Sequence, residues 1–160
     1  MSAITIFYFY SQLFNCLFSM SLGLFVLYKS PNKLANRTWC FSTLAVGVWS
    51  LFFALTISEN THDQALLYNK ICNIAAAYIP VFLTHFCLAI TEQRSSKNLL
   101  LKLGYINCFV ITFLAFTNAL LDVRPISIFT FYPQARSGYY FYTVHFFFFF
   151  FYQEYLLYKS

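Results

Sequence analysis

The chain has 160 residues, 60% of them hydrophobic and only 9% charged, and carries a net charge of +5 with a mean hydropathy of +0.62. A water-soluble domain of that composition has too little polar surface to cover itself, and the apolar runs lack the alternation of transmembrane barrel strands. The basic residues lie between apolar runs instead of on one stretch, which points to a lipid bilayer as the partner and away from nucleic acid.

A hydrocarbon slab about 30 Å thick is crossed by about 20 helical residues rising about 1.5 Å each. Without water, every backbone amide must find its partner inside its own segment, so the apolar runs are expected to be helices. The pattern predicts an all-α polytopic bundle of five transmembrane helices in a single membrane domain spanning 1–160, with helices at about 3–28, 38–57, 66–91, 99–121 and 138–158.

The first helix is long enough, at about 39 Å, to tilt or protrude. It ends where Lys29, Ser30, Pro31 and Asn32 break the apolar pattern. A short turn through Asn36 and Arg37 then makes helices one and two an antiparallel hairpin. On helix two, Thr43, Gly47, Ser50 and Ala54 recur at helical spacing, a small-residue strip suited to close helix packing, and Ser19 and Gly23 on helix one form a weaker strip. Trp39 suits an interfacial anchor, and Trp49 a buried or lipid-facing ring.

Helix three carries Pro80, which cannot donate to Ala76 and is expected to bend the helix, with Thr84 a candidate donor to a freed carbonyl. Asn69, Asn73, Ala77, Pro80 and Thr84 fall near one face, with His85 adjacent. Two readings fit this stripe: hydrogen bonds between helices, or the wall of a small-ligand or proton-linked site. Helix four is interrupted by Lys102, Asn107, Thr112, Thr117 and Asn118. The loop from Asp122 to Ser137 is expected to carry external contacts, its apolar patch 126–132 lying along the interface or packing back between helix ends. Helix five has tyrosine girdles at Tyr139, Tyr140 and Tyr142 and at Tyr152, Tyr155 and Tyr158. It also carries His145, predicted to sit at a different depth from His85, which disfavours a shared metal.

Counting Lys and Arg, seven follow the odd-numbered helices and three lie in the opposite connections, so the positive-inside rule puts the N-terminus outside and the C-terminus in the cytoplasm. The first span reads as a retained anchor, since no basic region precedes it. All five cysteines fall inside predicted spans, where free cysteine acts as a small hydrophobe. No zinc motif, deep carboxylate pair or glycine-rich phosphate loop is present, so neither enzyme activity, a cofactor nor a metal is expected.

Asn36-Arg37 leading into an apolar helix with Trp49, then Pro80 followed by His85-Phe86 and Thr91, then Thr117-Asn118 and Gly138, together resemble the seven-transmembrane N-terminal sensor region of bacterial histidine kinases. The family pattern often has histidines after Thr-Asn, where this chain has Ala119, Leu120, Leu121 and Asp122. By this resemblance the sequence is truncated after the fifth helix and lacks its output domain. The resemblance implies a multi-pass sensor or receptor module of a two-component signal-transduction system in the bacterial cytoplasmic membrane. It also implies a small extracellular or membrane-borne ligand and helix partners or a homo-oligomer. A cavity is expected among helices three, four and five near Asn73, Thr84, His85, Asn107 and His145. The alternatives are a small transporter or channel subunit and a non-catalytic membrane assembly partner.

Overall fold

A computed structural model describes residues 3–92 and 99–159. In chain order it contains α1 (Ala3–Lys29), α2 (Leu34–Ser58), α3 (His62–Ile90), α4 (Leu99–Phe116), β1 (Leu121–Arg124), β2 (Tyr132–Ala135) and α5 (Tyr139–Lys159). Arg94 and Lys97, counted above for topology, lie outside the described residues.

The turn between α1 and α2 is closed by the two residues that mark it in the sequence. Asn36 donates its side-chain amide to the Val26 and Ser30 carbonyls, both at 3.1 Å, satisfying orphan acceptors at the end of α1. Arg37 donates from Nε to the Pro31 carbonyl at 2.7 Å. Because Leu34, Ala35 and Arg37 are good helix formers, α2 starts at Leu34, four residues before the expected Thr38. Similarly, α3 starts at His62 instead of residue 66, with Asp63 in its first turn opposing the helix dipole. The Glu59 carboxylate accepts from the Asn60 and Thr61 amides just before it.

The largest departure is at α4, which stops at Phe116 and not near residue 121. Asn118 adopts a φ of 60°, a left-handed conformation that asparagine tolerates and a helix does not. The next residues form β1, paired antiparallel to β2 with Leu121 opposite Ala135 and Arg124 opposite Tyr132. The loop between the strands packs back on the bundle. Phe129 is buried with its ring 5.5 Å from Tyr8 and 5.8 Å from Tyr132, and the Thr5 hydroxyl of α1 donates to the Ile128 carbonyl at 2.7 Å. Arg136 closes the hairpin, donating to the Asp122 carboxylate at 3.0 Å. That hydrogen bond, helped by one from the Val123 amide, holds the Asp122 carboxyl below its ordinary range.

Packing is inverted relative to a soluble protein. The buried positions of α2 are mostly small or hydroxylic, including Ser42, Thr43, Ala45, Gly47, Ser50 and Ala54. Large apolar side chains instead face outward, with Phe14 70% and Phe109 72% exposed. Such an exterior is untenable in water and natural against lipid tails. The small-residue strip seats α1 on α2: a Cβ at Gly23 would overlap the Thr43 hydroxyl, one at Gly47 would meet Met20 Cγ at 2.6 Å, and Asn15 donates to Ser50 at 2.6 Å. α3 lies at the centre, packed against α2, α4, α5 and β1. Among the described residues, α1, α2, α3 and α4 are long and apolar enough to cross a membrane; α5, expected as the fifth span, is not among them, its tyrosines, Gln153 and Glu154 lowering its hydropathy. All five cysteines are free and buried.

Two outcomes follow from this packing. Gly23→Ala destabilises the detergent-solubilised protein by about 1–3 kcal/mol, because the Thr43 hydroxyl is itself bonded to the Trp39 and Cys40 carbonyls and cannot yield freely. Gly47→Ala costs less, since the flexible Met20 chain can move aside, and Thr43→Ala restores much of the Gly23→Ala loss in thermal unfolding. Since the Asp122 carboxyl is depressed in the folded state, its stabilising contribution is complete above the unfolded carboxylate value of about 4 and is lost as pH falls through the lower folded value. Thermal unfolding of the wild type therefore shows an acid-side loss of Tm that is smaller in Asp122→Asn.

Candidate functional site

Pro80 sits within α3 and has no amide hydrogen, so the Ala76 carbonyl lacks its helical donor and the backbone here is open to partners from other helices. Donors converge on the neighbouring carbonyls. His145 of α5 donates from Nε2 to the Ala77 carbonyl at 3.1 Å, and the Cys108 thiol of α4 reaches the same oxygen at 3.3 Å. Gln153, two turns further along α5, donates to the Pro80 carbonyl at 2.8 Å. Thr84 does not reach the freed Ala76 carbonyl and donates at 2.8 Å to Pro80, one turn before it. At the other end of the stripe, Asn69 donates to the Asp122 carbonyl of β1 at 3.2 Å, and Asn73 donates back to Asn69 at 2.8 and 2.9 Å.

A chamber of about 500 Å³ opens between α2, α3 and α5, lined by Val46, Trp49, Asn73, Ala76, Ile79, Tyr139, Tyr142, Thr143, Phe146 and Phe147. Its volume falls in the range of small-molecule sites, which are mostly apolar with a few placed polar groups. A second space of about 330 Å³ lies beneath the hairpin and shares Trp49, Asn73 and Tyr139 with the first. A third, of about 270 Å³, lies between α4 and α5 and is lined by Asn107 and His145 among leucines and phenylalanines.

The five residues predicted to surround one cavity are thus divided. Asn73 lines the main chamber. Asn107 and His145 line the smaller space on the other side of α5. Thr84 is fully buried in the helix packing. His85 turns toward α4, where its Nδ1 and the Tyr105 hydroxyl share a hydrogen bond of 2.9 Å. The two histidines bind separate partners, and no group of three metal-ligating side chains occurs among the described residues. With Nε2 donating, His145 presents Nδ1 as an acceptor, which is buried without a partner.

Tyr139 and Tyr142 were not legible as wall residues, because an aromatic near a helix end equally signals a girdle, and Trp49, inside its span, fitted a buried or a lipid-facing ring equally well. Gln153 was missed outright. An uncharged amide within the run of aromatic residues on α5 is the signal that marks it, since lipid offers such a group no partner.

Comparison with known proteins adds the decisive observation. The family model for the N-terminal 7TM region of histidine kinase matches residues 11–158. The chain belongs to this family. No curated protein and no solved structure matches it. In this histidine kinase sensor region, the Asn36-Arg37 pair acts as a clamp on the first helical turn, and Pro80 marks where α4 and α5 attach to α3. The chain is a multi-pass membrane sensor module.

Gln153→Leu removes one attachment and lowers stability by about 1 kcal/mol in thermal unfolding, whereas Glu154→Ala, at the exposed next position, leaves it unchanged.

Proposed function

We propose that the module receives a small ligand in the chamber between α2, α3 and α5 and passes the event to a signalling output through the far end of α5. The observation that carries this reading is the coincidence of chamber and attachment: α3 supplies both the chamber wall at Asn73, Ala76 and Ile79 and the carbonyls at Ala77 and Pro80 that hold α5. A ligand that binds more tightly when α5 is displaced, or when it is drawn in, shifts the balance between two helix arrangements by that difference in affinity. The five helices supply reception and not catalysis, so Asn73 acts as a binding residue.

The distribution of basic residues supports an N-terminus outside and a C-terminus in the cytoplasm, with the hairpin and chamber near the outer face of a bacterial cytoplasmic membrane. Three of the ten basic residues lie in the hairpin-side connections, and Asn36 lies on the opposite side.

Two measurements test these statements. Reporter fusions at Asn36 give a cytoplasmic signal and fusions at His62 an external one; the same compartment for both contradicts the topology. When α5 is joined to a histidine kinase catalytic region, filling the chamber with Ala76→Phe changes the phosphorylation level of the fusion, while His85→Ala, on the opposite side of α3, leaves its response to chamber filling intact. A fusion indifferent to Ala76→Phe contradicts the sensing role.

A further inference from the structure

The main chamber is polarised along the bundle. At its hairpin end stand Trp49, Asn73, Tyr139 and Tyr142, and about 10 Å deeper, six or seven helical residues on from Asn73 and Tyr139, it is lined by Ile79 and Phe146. No charged side chain lines it. Its polar groups are largely unused. Among the described residues, the Trp49 indole N–H and the Tyr139 and Tyr142 hydroxyls have no hydrogen-bond partner. Tyr142 is 7% exposed, so its hydroxyl sits in a side chain otherwise enclosed by protein. The Asn73 amide nitrogen is committed to Asn69, which leaves its oxygen free to accept.

These features select a ligand chemistry. Three donors and one acceptor at one end suit an oxygen-bearing head, which would exchange bonds to water for bonds to protein. The absence of a counter-charge rejects an ionised head, which would lose its hydration without compensation. The aromatic far end asks for a short apolar body. A volume of about 500 Å³ suits a small molecule. We infer that the chamber binds a neutral amphiphile of about 10 Å, its alcohol or carbonyl head held by Tyr139, Tyr142, Trp49 and Asn73 and its apolar end against Ile79 and Phe146.

This inference rests on the proposed sensing role for its purpose, but it is tested by binding alone. In lipid nanodiscs, Trp39→Phe leaves Trp49 as the sole tryptophan, and contact quenching by 8-bromo-1-octanol is compared with quenching by 8-bromooctanoate at about pH 8, where the carboxylate is ionised. The alcohol is expected to quench saturably and the carboxylate at least tenfold more weakly after correction for partition into lipid. Tyr142→Phe, which preserves shape, weakens the alcohol about fivefold, and Ala76→Phe abolishes the saturable component. Equal binding of the two probes overturns the assignment of a neutral ligand. Non-saturable quenching that Tyr142→Phe leaves unchanged overturns the site itself. Disulfide formation between copies carrying Thr143→Cys, with loss of probe binding, assigns the groove to a second copy of the chain and also overturns it. Saturable binding to the fusion with no change in its phosphorylation leaves this inference standing and removes the sensing role.

Discussion

The structure depends on the backbone of α3 around Pro80. In lipid there is no solvent to compete for backbone carbonyls, so donors from neighbouring helices fix where those helices attach. Beside the gap left by Pro80, Cys108 and His145 donate to the Ala77 carbonyl and Gln153 to the Pro80 carbonyl, three polar groups on two other helices directed at one stretch of backbone. The attachment of α4 and α5 is therefore set by polar geometry at one depth, where hydrophobic packing alone would leave their rotation undetermined.

That balance explains the contrast between the two halves of the bundle. α1, α2 and α3 approach through glycine, serine, alanine and threonine, which allow extensive close backbone contact. α5 carries bulky phenylalanines and tyrosines on all sides, stands off from α2, and leaves the chamber between them. The cavity is the space left where large side chains meet a strip of small ones.

Much of this was readable from the residues. The apolar runs and the packing strip on α2 each follow from a local rule, and the matched family agrees with the resemblance carried by Asn36-Arg37, His85-Phe86 and Thr117-Asn118. Depth along a helix is encoded in the order of residues, whereas direction around a helix is encoded only in contrast between faces. α5 has almost no such contrast, so Tyr139 and Tyr142 could be assigned a depth but not a direction. The same limit left unread that His145 faces Ala77 and the space between α4 and α5, away from the main chamber. Residues 117–121 are apolar enough to extend α4, yet the left-handed turn at Asn118 and pairing with β2 take them out of the helix.

The clamp formed by Asn36 and Arg37 has a mechanical consequence. With the loop ends of α1 and α2 fastened by side-chain bonds to the turn and their shafts fitted together at Gly23 and Gly47, the two form one stiff plate. Compliance is then left to the chamber side, where α5 stands off from α2 and is held from α3 and α4, by the His145 and Gln153 bonds and by Tyr142, Phe149 and Leu156 in the core. An applied force is absorbed there, as angular motion of one rod against an unyielding wall.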